Sequence, residues 1–317
     1  MLRLFNNSDI FSIVSIWNDA CGPDLAITPR FVEYNTRPAT GVIQSGYIAL
    51  QDGQPVGFVL ASTLPNNPTV SPPQLGWIDA LAVLPSAQKQ NIGSELLAAA
   101  EDWLRAQGCS RFRLGGSLKP FIPGLPVELN DEDFFRKRGY GGDKVDWDFA
   151  SDLGNYVRRT HPERSEAKSQ DESHVTIRPA QPGDESTILE FFKREFPGRW
   201  QFEFQEFLNE QGRITDYHLL ITNRVDGFAR LTFEDSERPI ERFYMQRLPK
   251  PWGQLGPIGV SKDTRGKGFG GALLDAALYR LHEQGIRGCV IDWTSLAEFY
   301  GKFGFKPYRK YLMLIKS

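Results

Sequence analysis

Cysteine, histidine and any excess of one charge are scarce in this chain. Its 317 residues include three cysteines, at Cys21, Cys109 and Cys289, and four histidines. Three cysteines cannot all pair, and none stands at zinc-ligand spacing with another. The 37 basic and 39 acidic residues leave a net charge of -2. This balance gives no reason to expect nucleic acid or an anionic membrane as a partner.

Long apolar runs are also missing. No run approaches the roughly 20 residues needed to span a bilayer, and residues 1–7 carry no basic leader with an apolar stretch. Together with the few cysteines, this predicts a soluble, cytoplasmic protein with no membrane partner. The histidines, at positions 161, 174, 218 and 282, are scattered, and we assign none of them to a site.

What the chain does contain is a glycine-rich turn between an apolar strand end and a helix. Residues 260–274 read VSKDTRGKGFGGALL. The glycines let the backbone approach a ligand in conformations that a Cβ forbids, and amides at the positive end of a helix dipole favour a phosphate. The turn lacks the Gly-Lys-Ser/Thr ending of a nucleoside-triphosphate loop and the acidic ribose partner of a dinucleotide fold.

A second motif follows the turn. A strand over 288–294 precedes a short helix that carries Tyr300, with Gly304 and Phe305 after it. The two motifs resemble the GNAT superfamily of acyl-CoA-dependent N-acyltransferases, whose signature is Arg/Gln-x-x-Gly-x-Gly/Ala at a helix start and a later Tyr-x-x-x-Gly-Phe. The resemblance implies acetyl-CoA or another acyl-CoA as cosubstrate, no metal, and a small-molecule or peptide amine as acceptor. We expect a monomer or homodimer.

The same pattern occurs twice, as an internal repeat should. A shift of 177 residues lays Val83, Gln88 and Gly93 on Val260, Arg265 and Gly270, and a shift of 175 lays Arg3 and Asp9 on Arg178 and Asp184. We predict an N-terminal GNAT-like domain over 1–156, degenerate in its motifs, and a catalytic C-terminal GNAT domain over 175–317. The segment 157–174 is dense in charge and poor in large apolar side chains, so we expect a linker.

Each half is predicted to be α/β, with a mixed, mostly antiparallel sheet flanked by helices. Residues 47–60 predict an antiparallel hairpin that turns at Asp52-Gly53. The first half also holds about 12 extra residues in the proline-rich segment 117–126, which favours a rigid lid or interface over a strand. The resemblance implies that the central strands splay and that pantetheine enters the gap. It places the cofactor on Ile258, Gly259, Val260, Arg265, Gly266, Lys267, Gly268, Phe269, Gly270 and Gly271, and in the first half on Leu81, Ala82, Val83, Gln88, Asn91, Gly93 and Ser94.

The chemistry of amide formation at a thioester suggests two catalytic side chains. Tyr300 matches the family's tyrosine acid beside the CoA sulfur, which would protonate the leaving thiolate. Asp292 is a candidate base, with a purely structural carboxylate as the alternative. In the first half Phe135 takes the tyrosine's place and cannot donate a proton. Asp79 lies near the usual acid position there, which leaves catalysis in the first half open.

The acceptor site is the least readable part of the sequence. Residues 191–202 are rich in aromatics, which is more typical of helix core than of a pocket. Their place in the variable substrate region still makes Arg199 and Trp200 candidates, with Trp293 beside Asp292. The combination of a catalytic domain with a domain of degenerate motifs resembles mycothiol-synthase-like tandem GNAT proteins. A non-catalytic acyl-CoA sensor and a scaffold with two empty turns remain open alternatives.

Overall fold

A computed structural model describes residues 1–159, 175–239 and 247–317, and it divides the chain into two compact units. The first unit contains Met1–Trp147, Arg247 and Arg309–Ser317, and the second contains residues 148–239 and 248–308. This division differs from the predicted domains in two places, because residues 148–156 belong to the second unit and the last nine residues belong to the first. Most of the predicted linker, residues 160–174, lies outside the described residues. Among those described, no helix is long and apolar enough to cross a membrane.

The first unit is a six-stranded sheet with helices packed on it, in the order β1-β2-β3-β4-β5-β14. β4 and β5 are parallel, and the other neighbours are antiparallel. The strands are β1 (Leu2–Leu4), β2 (Ile43–Gln51), β3 (Gln54–Thr63), β4 (Leu75–Val83), β5 (Arg111–Leu114), β6 (Leu125–Pro126) and β14 (Ile315–Lys316), and the helices are α1 (Ile10–Cys21), α2 (Pro29–Thr36), α3 (Ile92–Ala106) and α4 (Glu132–Arg136).

The second unit repeats this plan, with strands in the order β7-β12-β11-β10-β9-β8. Here β11 and β12 are the parallel pair. The strands are β7 (Val145–Asp152), β8 (Thr176–Pro179), β9 (Tyr217–Ile221), β10 (Val225–Thr232), β11 (Trp252–Val260), β12 (Gly288–Thr294) and β13 (Lys306–Leu312), and the helices are α5 (Glu185–Glu195), α6 (Arg199–Asn209), α7 (Phe269–Glu283) and α8 (Ala297–Gly301). β7 and β13 are each divided between the two units.

The repeat is visible at the level of single ion pairs. Arg3 donates two hydrogen bonds to the Asp9 carboxylate, at 2.8 and 2.5 Å. Arg178 does the same to Asp184, at 2.7 and 3.0 Å. Two parallel N–H···O bonds fix the geometry of such a pair. Each pair therefore ties the first strand of its unit to the start of its first helix.

Two local predictions are confirmed. β2 and β3 form the predicted hairpin, with left-handed φ angles of +52° at Asp52 and +78° at Gly53. The aromatic residues of α5 and α6 form core rather than a pocket, in a cluster that contains Phe191, Phe192, Phe204 and Phe207 together with Tyr217 and Phe228.

The proline-rich segment 117–126 is only partly as predicted. Phe121 is fully buried and packs edge-on against Phe31 at 5.1 Å between ring centroids. The last two residues form β6 and pair with Tyr311 and Leu312 of β13. The prediction of no strand was therefore wrong at 125–126. The partner strand β13 lies far away in the sequence, so the local pattern does not show this pairing.

Candidate functional site

The turn before α7 has the backbone of an anion site. Gly266 and Gly268 have φ angles of +78° and +85°, and α7 begins directly after Gly268. A Cβ built at either glycine, or at Gly270, would have no atom within 4 Å. The glycines of this turn therefore border unfilled volume at the start of a helix, where unpaired N–H groups suit a pyrophosphate. Arg265 and Lys267 are both exposed beside it.

The weaker turn of the first unit adopts the same conformation. Asn91 has φ +67° and ψ -4°, against +85° and -7° for Gly268. Asparagine is among the few residues that tolerate this region. Ser94, in the first turn of α3, accepts a hydrogen bond from Arg138 Nη2 at 2.6 Å. The Arg138 guanidinium also lies over the Phe134 ring, 3.8 Å from its centroid. A cation is therefore held at this helix start as well.

The central strands of the first unit separate beside this turn. The ladder between β4 and β5 runs from Leu75 to Ile78 and then ends, while β4 continues to Val83 along β3. A cavity of about 730 Å³ lies in the opening. Its lining includes all seven cofactor residues that the sequence placed in this unit, together with Asp79, Lys89 and Lys137.

The second unit separates at the equivalent place. The ladder between β11 and β12 runs from Trp252 to Gln254, while β11 continues to Val260 along β10. The predicted cofactor residues Ile258 and Gly259 thus lie on the part of β11 that has left β12. Strand edges of this kind carry unpaired backbone groups that an extended ligand can join. Phe269 and Gly271 lie in the first turn of α7.

Asp79 is a fully buried carboxylate on β4. It accepts hydrogen bonds from Ser62 Oγ at 2.9 Å and Gln44 Nε2 at 3.2 Å, and a further one from the Ser117 side chain. Burial raises the pKa of Asp79 to about 6, against the opposing effect of these hydrogen bonds. A carboxyl group that titrates near neutral pH is suited to accept a proton in catalysis.

Asp292 and Tyr300 lie together in the second unit. Asp292 Oδ2 is 3.5 Å from Arg238 Nη2. Tyr300 is 4% exposed and contacts Phe149 and Phe299. Burial raises the pKa of Tyr300 to about 12, and the negative charge of Asp292 adds to that effect. A hydrogen bond with the Thr294 side chain acts in the opposite direction, and the phenol is protonated at neutral pH.

The two units differ where the sequence predicted a difference. Phe135 is buried on α4 and lines the 730 Å³ cavity. It packs edge-on against Tyr140, at 5.8 Å between ring centroids. The Tyr140 hydroxyl donates a hydrogen bond to Glu101 Oε1 at 3.0 Å. Its proton is therefore shared with a carboxylate, and Tyr140 does not replace the missing acid at position 135.

The predicted acceptor residues separate into two groups. The Arg199 guanidinium lies over the Trp293 ring, 4.6 Å from its centroid, and Arg199 also donates to Glu203 at 2.6 Å. Trp293 has a left-handed φ of +50°, which is rare for a bulky residue and marks local strain. Trp200 instead packs on Phe196 and Phe228 as part of the core.

Sequence reasoning missed three polar side chains at the splayed strands. Trp77 Nε1, Thr232 Oγ1 and both polar atoms of the Gln254 side chain are buried without a hydrogen-bond partner among the described residues. Thr232 lies opposite Gln254 in the ladder, as Ser62 lies opposite Trp77. The repeat shift of 177 residues makes Trp77 and Gln254 equivalent. The sequence therefore showed that a side chain with a hydrogen-bond donor recurs at this strand position.

Two family models and one curated relative match parts of this chain. A family model described as "Acetyltransferase (GNAT) family" matches residues 11–118, and one described as "Acetyltransferase (GNAT) domain" matches residues 215–307. Together they span more than half of the chain. A curated relative, aminoglycoside N(6')-acetyltransferase type 1 of Klebsiella aerogenes, is 34% identical over 61 residues, which is 19% of this chain and 40% of the relative.

Two solved structures share the fold over nearly the whole chain. One is a glucosamine N-acetyltransferase region of a fungal multi-domain β-N-acetylglucosaminidase, with a TM-score of 0.87 and 24% identity over 99% of this chain and 38% of that one. The other is a tandem GNAT protein from the clavulanic acid biosynthesis pathway, with a TM-score of 0.69 and 13% identity over 99% and 98%. The chain thus spans well under half the length of the fungal enzyme.

Proposed function

The chain belongs to the GNAT acetyltransferase family, with two such domains in tandem, and from this premise we propose that it transfers an acetyl group from acetyl-CoA to an amine. We place catalysis in the second unit. The observation that carries this proposal is the position of Asp292, whose Oδ1 lies 3.3 Å from the Cβ position of Gly256, just beyond the point where the β11–β12 ladder ends. With Tyr300 on α8, the second unit thus contains both a candidate base and a candidate acid.

The proposed reaction uses each group once. The amine must be neutral to attack the thioester carbonyl, and Asp292 accepts the proton that the nitrogen loses. A C–N bond forms and the C–S bond breaks. Tyr300 donates its proton to the departing CoA thiolate. The donors that we propose for the oxyanion are backbone N–H groups along the separated part of β11.

We propose an amino sugar as the acceptor class. Two relatives support it by their names, since one acts on aminoglycosides and the other on glucosamine. Arg199 and Trp293 remain the acceptor residues to test, because the Arg199 guanidinium contacts Trp293, which directly follows Asp292 in the chain. A peptide amine is the other class that the sequence left open.

Thiol release tests the proposal directly. We expect the wild-type protein to release CoA from acetyl-CoA with an amino sugar in a panel that includes glucosamine, aminoglycosides and a peptide amine. Tyr300→Phe should slow this release, while Asp79→Asn should leave it within a few-fold. If tight CoA binding occurs without thiol release across the panel, the protein is an acyl-CoA sensor instead.

A second candidate places catalysis in the first unit. The observation that favours it is the 730 Å³ cavity with the Asp79 carboxylate in its wall. Asp79 would be the base, and without a tyrosine at position 135 the thiolate would take its proton from solvent. Loss of turnover in Asp79→Asn, with normal turnover in Tyr300→Phe, would establish this alternative.

A further inference from the structure

The first unit contains a second cavity, which is smaller than the one at the phosphate turn. Its volume is about 220 Å³. Gln44, Ser62 and Ser117 line it, and each of the three also donates a hydrogen bond to Asp79. Asp79 itself lines the larger cavity. The carboxylate with its three donors thus separates two cavities of one unit.

Trp77 marks the small cavity as a binding site. It lines the cavity and is 4% exposed, and its Nε1 has no hydrogen-bond partner among the described residues. A buried indole N–H normally finds an acceptor, because leaving it unpaired costs free energy. A ligand with an acceptor oxygen would satisfy it. The equivalent position of the second unit, Gln254, carries a similarly unpartnered buried amide.

The lining also determines the charge of that ligand. Arg37 and Lys119 line the cavity, and both lie over the Tyr34 ring, at 4.3 and 5.4 Å from its centroid. No acidic residue is among the described lining residues. Two cations at one side of a small cavity favour an anionic group such as a phosphate. The Asp79 carboxylate lies behind Gln44, Ser62 and Ser117, and a positive group is favoured near these three side chains.

We infer that this cavity binds a small amine that also carries an anionic group. Its ammonium group lies toward the Ser62, Gln44 and Ser117 side chains that contact Asp79. Its anionic group lies toward Arg37 and Lys119, and an oxygen accepts from Trp77 Nε1. A phosphorylated amino sugar has this chemistry. The inference is about binding in the first unit and holds whichever unit is catalytic.

Calorimetry on the full chain, without acetyl-CoA, tests this inference with glucosamine 6-phosphate as the probe. We expect one site per chain. Glucosamine lacks the anion and glucose 6-phosphate lacks the amine, so each should bind about tenfold or more weakly, as expected when a charged hydrogen bond is lost. Equal binding of glucosamine and glucosamine 6-phosphate, or no binding of the latter, would overturn the inference.

Variants identify the cavity as the place of binding. Arg37→Gln and Lys119→Gln should each weaken binding of glucosamine 6-phosphate about tenfold, and Trp77→Phe, which keeps a ring, about three- to tenfold. Arg111→Gln removes an exposed charge of the same unit outside the cavity and should bind as wild type. Thermal melts identify variants that fail to fold, and only folded variants are compared. Wild-type affinity in folded Arg37→Gln and Trp77→Phe would overturn the assignment.

Discussion

Asp292 Oδ1 lies 3.3 Å from the point where Gly256 would carry a Cβ. Gly256 occupies the sheet position that Asp79 occupies in the first unit, at the repeat shift of 177 residues. Its φ of +151° lies in a region that is essentially restricted to glycine, so no carboxylate can come from this strand position. The second unit therefore brings its carboxylate from the neighbouring strand β12. The two candidate bases, Asp79 and Asp292, thus lie on strands that are not equivalent in the repeat.

Removing the hydroxyl of Tyr300 should slow the reaction without weakening CoA binding. Loss of a general acid costs roughly 10²–10⁴ in rate, and a thiolate is already a tolerable leaving group, so we expect Tyr300→Phe to lower kcat about 10- to 100-fold. Steady-state kinetics with paired CoA titrations measure both quantities. Tyr279→Phe, which removes a phenol from α7, is the matched control and should behave as wild type. A normal kcat in Tyr300→Phe would mean that this residue only packs.

Replacing Asp292 should change both the rate and its pH dependence. The Asp292 charge helps to raise the pKa of Tyr300, so Asp292→Asn should lower that pKa and move the alkaline limb of the kcat profile to lower pH. Loss of the base should also reduce kcat by about 100-fold or more. Glu283→Gln neutralises an exposed carboxylate at the end of α7 and is the control. An unshifted alkaline limb in Asp292→Asn would contradict the coupling between these two groups.

The two phosphate turns should bind CoA independently. Gly270→Asp and Gly93→Asp each add bulk and a negative charge where a pyrophosphate would lie, and we expect each to remove one of two CoA sites. Gly141→Asp is the control, since a Cβ at that position also has no atom within 4 Å and Gly141 lies outside both turns. Calorimetric stoichiometry decides the outcome. Two sites of unchanged affinity in folded Gly270→Asp would refute the assignment of the second turn.

Stability should fall as the solution becomes acidic, in part through His218. This side chain is 5% exposed, and its burial, followed by the charges of Arg280 and Arg158, lowers its pKa to about 3. The folded state keeps it neutral, while the unfolded chain takes a proton below about pH 6.5. Because the unfolded state then binds more protons, the free energy of unfolding drops by up to about 1.4 kcal/mol per pH unit between these two values.

Urea titrations at a series of pH values measure this dependence. In His218→Leu the histidine's contribution disappears, so the free energy of unfolding should change less between about pH 6.5 and 4.5, by roughly 2–3 kcal/mol. The absolute stability of the variant can differ in either direction. The same pH dependence in wild type and variant would show that His218 is not the group responsible.

Local sequence determined much of what the site needs. The glycines before α7, the asparagine before α3 and the Asp52-Gly53 turn each depend on which φ angles a residue tolerates, a property of the residue and its immediate neighbours. The Arg3–Asp9 and Arg178–Asp184 pairs connect residues six apart, and their recurrence made the repeat readable. The aromatic core of α5 and α6 followed from helical spacing of large apolar side chains.

Tertiary structure alone decided the rest, because the deciding contacts join distant residues. The last residues of the chain belong to the first unit through pairing of Ile315 with Arg113 in β5, and no local preference selects one strand partner over another. Asp292 reaches the position beside Gly256 only because β11 and β12 run parallel before they separate. The small cavity beside Asp79 required β2, β3, β4 and the segment after β5 to meet. Its cations, Arg37 and Lys119, and its indole, Trp77, come from separate parts of the chain, and no spacing in the sequence shows that they meet.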